Sequence, residues 1–367
     1  MVRIGFIGFG RMGITHYSIL NTHPSVQVNG ICDSSSAMLA ILKKYLSVPT
    51  YSDYEQMLDQ ADLDGVIIST PGDSHLEIVK AAIQRGLDVF VEKPFTLSAE
   101  EGRAALAMLD GRQLVNQVGY VNRFNEVFVE VKKLVDEGAI GEVRNYVAEM
   151  YGATVLRDSK SSWRGKTDAG GGCLYEFASH CIDLAIYLFG RPERVAGSIT
   201  QSIYSSVVED LVTSTFVHRE GFTGNVMVNW SDEAYRKLAN VMTIFGTAGK
   251  IIADKHAYKI FLKEARPDIG FDKGWNTRYI TEFGKPVRFY LRGNEFTAQL
   301  DYFVDAVEQK RAANVPGFAD GFKTDAVIEQ IRKDAGLTLA GSSEGVDVGP
   351  APKPDRKSVS RWRRIFK

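Results

Sequence analysis

Residues 2–13 read VRIGFIGFGRMG, an apolar run that passes directly into Gly8, Gly10 and Gly13 at G-x-G-x-x-G spacing. A short, continuously apolar run suits a strand buried on both faces of a parallel sheet. The segment ITHYSILN behind the glycines suits a helix. Each glycine then has its own task. The first makes the tight turn, the second admits close backbone approach of a pyrophosphate, and the third lets the helix pack tightly on the strand. The free N–H groups and the positive end of the helix dipole face the phosphates. On this reading the intervening Phe9, Arg11 and Met12 belong to the same dinucleotide cradle.

A second strand, VQVNGICD, ends in Asp33, about 20 residues beyond the last glycine, where an acid accepts hydrogen bonds from a ribose. A carboxylate there repels a 2′-phosphate, and Ser34, Ser35 and Ser36 follow with no arginine nearby. The cofactor expected is therefore NAD, with NADP disfavoured. The alternation continues through DGVIIST, which runs into TPGDSH with Thr70, Pro71 and His75. Next come the helical LEIVKAAIQRG and the strand DVFVEKPF, with Glu92 and Lys93 at its end. Such alternation predicts βαβ units and a doubly wound parallel sheet, with ligands beyond the carboxyl ends of its strands. Thr70, Pro71, His75, Glu92 and Lys93 all fall at those ends. Successive strand residues point to opposite faces, so Glu92 and Lys93 each need a separate partner.

After residue 123 the rhythm changes. RNYVAEMYG, RVAGSITQSIY, LVTSTFVH and TGNVMVNWS alternate as antiparallel strands do. They are followed by the helical NEFTAQLDYFVDAVEQKR. Among them lies GGGCLYEFASHCIDLAIYLFG, of helical length and nearly without polar residues, yet with Glu176, His180 and Asp183 at i, i+4 and i+7. A helix apolar almost all round is expected to be buried, and ionisable groups in it need pairing or a polar cavity. The expected organisation is α/β: a dinucleotide-binding domain over 1–122, a substrate and oligomerisation domain over 123–345, and a Pro-containing basic tail over 346–367. The tail, ending RWRRIFK, is read as a frayed terminus rather than an anchor.

With 44 basic and 45 acidic residues, the chain has no global field that would suit nucleic acid. Cys32, Cys173 and Cys181 are too few, and too unevenly spaced, for a disulfide framework or a structural zinc site. The other histidines show no metal-ligand spacing, so no metal is expected. No run is long enough to span a membrane, and no secretory leader is visible, so a cytoplasmic protein is expected.

Six segments in order, GFGRMG, TPGDSH, FVEKPF, GYVNRFN, WRGKTDAGGG and EFASHCID, resemble the Gfo/Idh/MocA family of nicotinamide-dependent sugar and cyclitol oxidoreductases. The resemblance implies a Rossmann domain followed by an α/β domain with a large, mostly antiparallel sheet. One face of that sheet is open and used for assembly, here into a homodimer or homotetramer. It also implies that Lys93 is the catalytic lysine, His180 the catalytic histidine and Glu176 the acid one turn before it. The family usually has Asp and then Gly where this chain has Glu176 and Ala178.

The chemistry agrees with these roles. Oxidising a secondary alcohol requires a base within hydrogen-bond reach of its oxygen, and an ammonium beside that oxygen stabilises developing alkoxide charge. Asp183 either fixes the tautomer of His180 or serves the fold. Tyr120, Asn122 and Arg123, at the crossing between domains, and Trp163 and Arg164, before the glycine run, are the remaining substrate candidates, with Lys166 nearby. The substrate expected is a sugar, nucleotide sugar or cyclitol. Two other readings compete: a glycosidase that oxidises its sugar transiently with bound NAD, and a nicotinamide sensor without catalysis.

Overall fold

Apolar strands and capped helices alternate through the first third of the chain. The computed structural model describes residues 1–157, 162–311 and 315–337. The elements run β1 (Val2–Ile7), α1 (Arg11–Leu20), β2 (Val26–Cys32), α2 (Ser36–Tyr45), β3 (Thr50–Tyr51), α3 (Tyr54–Gln60), β4 (Gly65–Ile68), α4 (His75–Gln84), β5 (Asp88–Val91), α5 (Ala99–Ala107) and β6 (Asn116–Val118). Local chemistry sets several starts: Ser35, Asp53 and Ser98 cap α2, α3 and α5 by accepting from Met38, Gln56 and Glu101 N–H. The six strands pair in the order β3-β2-β1-β4-β5-β6, every pair parallel. All residues of β4 and β5 are buried, as expected with helices on both faces. The order turns back at β1 and β4, so the crevice at their carboxyl ends is where ligands bind such sheets.

The second half contributes α6 (Glu126–Asp136), β7 (Val143–Tyr151), α7 (Ser179–Phe189), β8 (Arg194–Gln201), β9 (Leu211–Val217), β10 (Thr223–Asn229), β11 (Ala239–Gly246), β12 (Gly249–Ala253), β13 (Ala257–Leu262), β14 (Gly274–Tyr279), α8 (Ile280–Phe283), α9 (Asn294–Glu308) and α10 (Phe318–Asp334). Its eight strands pair β14-β13-β12-β11-β7-β10-β9-β8, antiparallel except for β10 beside β7. In β7 every second residue from Tyr146 faces inward, the period-2 signal that the sequence carried. The inner face packs with Val127, Phe128 and Ile182 of the covering helices into one core. The other face leaves Ile199, Met227, Phe245 and Trp275 exposed.

Two features depart from simple expectation. Residues 174–178 form a turn of π-helix before α7, so the predicted single helix has a wider first turn. The chain also recrosses after the second sheet: Leu300, Phe303 and Val304 of α9 lie in the core that covers β1, beside Phe6 and Phe90. Phe318 of α10 packs with the first sheet, and Ile328 and Ile331 with the second. The tail expected over 346–367 lies outside the described residues. Among the described residues, no helix is long and apolar enough to cross a membrane.

Candidate active site

A cleft of about 820 Å³ runs along the carboxyl ends of the first sheet and under the π-turn. One end is the glycine cradle. Gly8 has φ +84°, and a Cβ there would meet the Ser69–Thr70 backbone. At Gly13 a Cβ would drive into the Gly8 carbonyl, which is how helix and strand come so close. At Gly10, by contrast, a Cβ meets nothing within 4 Å; that open space is where a ligand backbone would pass. No side chain caps α1, so its first-turn N–H groups have no protein partner of that kind. Asp33 is fixed by two backbone donors, Phe9 N at 2.7 Å to Oδ2 and Ser35 N at 2.8 Å to Oδ1. Ser34, Asp53 and Tyr54 line the cleft beside it. The residues thus fit a dinucleotide: open donors for the pyrophosphate and carboxylates, with no cation among the described lining residues, at the ribose end.

Glu92 and Lys93 diverge as alternation requires. Glu92 Oε1 lies 2.7 Å from His16 Nε2 inside the first domain. Burial works against the charged form of Glu92, but the contacts with His16 and Lys93 hold its pKa below the usual value. The peptide between Lys93 and Pro94 is cis. Lys93 crosses to the second domain, where Nζ donates to both the backbone carbonyl and Oε1 of Glu176, each at 3.1 Å. Arg164 Nε reaches the other Glu176 oxygen at 3.4 Å and lies over the Trp163 ring, 4.8 Å from its centroid. One turn on, His180 lines the same cleft with its Nδ1 buried and without a partner. Burial, then the charges of Lys93 and Lys255, push its pKa well below that of an ordinary imidazole, so it stands neutral at neutral pH.

The structure gathers Gly8, Gly10, Arg11, Met12, Asp33, Ser34, Thr70, Pro71, Glu92, Lys93, Asn122, Trp163, Arg164, Glu176 and His180 on this one cleft. Several other sequence candidates sit beneath it instead. The Phe9 ring is buried against Phe6 and Tyr17, because its apolar bulk belongs to the first core; only its N–H reaches Asp33. His75 is buried, with Nδ1 2.8 Å from the Pro94 carbonyl and Nε2 3.0 Å from that of Thr70. It therefore joins two strand-end loops without facing the cleft. Tyr120 is fully buried and meets the His180 ring edge to face at 6.4 Å. Arg123 donates to Asp183 through Nε at 3.0 and 3.1 Å and Nη2 at 2.7 Å.

That pair also decides the place of Asp183, which braces the fold and does not reach the imidazole. From His180 to Asp183 is three residues of α-helix, about 60° around the axis, enough to turn the carboxylate from the cleft to Arg123. Burial pushes the Asp183 carboxyl up to about 6, against the pull of Arg123. Lys166 is not part of the cleft lining.

Two cations on the cleft were not found from the sequence. Lys255 comes from the turn joining β12 to β13, where Asp254 Oδ1 accepts from His256 N–H and Ala257 N–H. Arg292 precedes α9, has φ +65°, lies over Phe296 and contacts Met12 Sδ at 3.7 Å. Burial, then the charge of Arg11, lower its pKa. Asp53 was missed as well, although its cap role left an S/T/D signal three residues before Gln56.

This combination defines the class: a Rossmann domain feeding a large antiparallel domain, with a strand-end lysine meeting an acid–histidine helix across a cleft. Comparison with known proteins agrees. Residues 2–120 match the family described as "Oxidoreductase family, NAD-binding Rossmann fold", and residues 128–252 match the GFO/IDH/MocA C-terminal domain. The chain belongs to the GFO/IDH/MocA oxidoreductase family. It is 27% identical over 199 residues to scyllo-inositol 2-dehydrogenase (NADP(+)) of Bacillus subtilis (strain 168), covering 54% of each chain. To inositol 2-dehydrogenase of Rhizobium meliloti (strain 1021) it is 25% identical over 349 residues, covering 92% of this chain and 99% of that one. The chain thus spans about half the length of some curated relatives it matches and nearly all of others. Among solved structures, levoglucosan dehydrogenase in complex with NADH and levoglucosan superposes with a TM-score of 0.80 at 22% identity, over 91% of this chain and 97% of that one. At that identity the likeness shows the fold.

Proposed function

We propose that the chain is a nicotinamide-dependent oxidoreductase acting on a ring secondary alcohol of a sugar, nucleotide sugar or cyclitol, with NAD preferred. The observation that carries this reading is the meeting of Lys93, Glu176 and neutral His180 at the sheet's carboxyl end, in the cleft that also holds the glycine cradle. Asp33 and Asp53 at the ribose end favour NAD over NADP. Gly10, the first turn of α1, Arg11 and Arg292 would hold the pyrophosphate, and Thr70 and Pro71 would form a side wall. When bound, the nicotinamide supplies the hydride acceptor or donor.

The protein groups do the rest. His180, neutral, takes the hydroxyl proton or returns it. Lys93, held at two points on Glu176, directs its remaining N–H toward the same oxygen and stabilises negative charge there. Glu176 keeps that ammonium in place and offers an acceptor to a neighbouring hydroxyl. The relatives' names support the substrate class, for two are inositol dehydrogenases and one solved structure holds levoglucosan. Assembly into a homodimer or homotetramer would use the exposed face of the second sheet.

The test is nicotinamide turnover with sugars, nucleotide sugars and inositols, alongside NADH binding by fluorescence. Lys93→Ala and His180→Asn should each lower kcat by roughly 10²–10⁴-fold, the usual contribution of a positioned acid–base group, while NADH still binds. Full turnover by Lys93→Ala would remove the proposed role.

A further inference from the structure

We infer that the substrate is an anionic polyol, whose carboxylate or phosphate is bound between Arg164 and Lys255; this rests on the oxidoreductase reading above. Three cations border the substrate end of the cleft: Lys93, Arg164 and Lys255. Among the described residues three carboxylates stand near them, and the first, Glu92, feels the charge of Lys93. Glu176 is shared by Lys93 and Arg164, and Glu295 stands 3.7 Å from Lys255, outside hydrogen-bond reach. Glu295 is buried and does not line the cleft. Neither Lys255 Nζ nor the terminal nitrogens of Arg164 hydrogen-bond a carboxylate among the described residues.

The two side chains are also built to receive an anion. Arg164 spends only Nε on Glu176, and among the described residues its two terminal nitrogens make no hydrogen bond, leaving a planar fork suited to carboxylate or phosphate oxygens. Stacking on Trp163 fixes the plane of that fork. Among the described residues Lys255 makes no hydrogen bond through Nζ, while its backbone carbonyl accepts from Asn125 Nδ2 at 3.2 Å. Trp163, Phe177 and Leu238 supply apolar surface on the same cleft for the C–H faces of a ring. Lys255 also helps to depress the proton affinity of His180. An anion seated on Lys255 opposes that effect, so binding the correct substrate restores basicity to the imidazole that must take its proton.

The test uses the full chain loaded with NADH, titrated calorimetrically with D-glucuronate, D-glucose 6-phosphate and D-glucose. At least one of the two anions should bind about tenfold or more tightly than glucose, and the arm that does so identifies carboxylate or phosphate as the group recognised. Lys255→Met should erase most of that preference. Arg164→Lys, which keeps the charge but loses the fork, should reduce it in part. With NAD⁺, the acidic limb of the pH profile should lie at higher pH for kcat than for kcat/KM. Binding of glucose equal to that of both anions, no measurable binding of either anion, or an unchanged preference in Lys255→Met overturns the inference. If NADH binds and neutral polyols turn over without preference for the acids, only this inference falls. If NADH does not bind, the oxidoreductase reading falls first.

Discussion

Glycines 10 and 13 share one motif and differ in what they do, which makes them separable by mutation. At Gly13 the missing side chain serves the protein, since a Cβ would collide with the Gly8 carbonyl. At Gly10 nothing of the protein lies within 4 Å, so on the proposed reading the missing side chain leaves room for the ligand. Gly10→Ala should therefore leave the melting temperature nearly unchanged and weaken NADH binding about tenfold or more, because one methyl group displaces the cofactor backbone. Gly13→Ala should lower both. Equal melting losses in the two variants would contradict this division.

His180 offers a second test at the same scale. In the unfolded chain it titrates near the free value of about 6.5. In the native cleft its pKa is depressed. Below about pH 6.5 the unfolded state therefore binds more protons, and stability falls as the pH falls. The slope for one such group is at most about 1.4 kcal/mol per pH unit. His180→Asn lacks this loss, so its stability relative to the parent should rise steadily on acidification from pH 7, measured by urea unfolding. A difference that stays constant with pH would show that the imidazole is not held neutral.

At the scale of the element, the segment from Leu174 to Phe189 joins the cleft to the architecture. Its π-turn presents a backbone carbonyl, that of Glu176, to Lys93. The α-helix behind it turns Asp183 to the buried Arg123. Asp320 is the only other acid near that guanidinium in the described residues, at 3.6 Å. Removing one partner of a buried ion pair leaves the other uncompensated and costs about 3–5 kcal/mol. Asp183→Asn should lose that order of stability in denaturant titration. The double variant Arg123→Met with Asp183→Leu should recover much of it, because two apolar groups replace two charges.

The sequence showed that three ionisable residues lie at helical spacing in an apolar segment, and that some compensation had to exist. It did not show two different compensations. The partner of Asp183 lies 60 residues away in the chain, and the π-turn is a departure from 3.6-residue periodicity that no residue type announces.

At the scale of the whole molecule, legibility followed sequence distance. The first sheet, its glycine turn and the place of Asp33 and Lys93 on the cleft could be read because a βαβ unit is local and its strand ends lie side by side. The first strands of the second sheet were legible by alternation. Lys255 and Arg292 were not, because each is an ordinary loop cation until tertiary packing carries it to the cleft. For Arg292 that packing is the return of α9, whose apolar face, Leu300, Phe303 and Val304, completes the first domain's core. Docking α9 holds the preceding loop, with Arg292, over the glycine turn.

There Arg292 feels the charge of Arg11, and among the described residues no carboxylate forms an ion pair with either. Two guanidinium groups beside open helix N–H groups are matched by the two charges of a pyrophosphate. A charge-assisted hydrogen bond contributes about 1.5–3 kcal/mol. Arg292→Met should thus raise the Kd for NADH and for ADP-ribose by roughly ten- to a hundredfold, with a shallower dependence on salt. Adenosine, which has no phosphate, should bind the variant as it binds the parent. A loss of adenosine affinity equal to that of NADH would mean that the substitution had undone the docking of α9, and that the arginine itself held no phosphate.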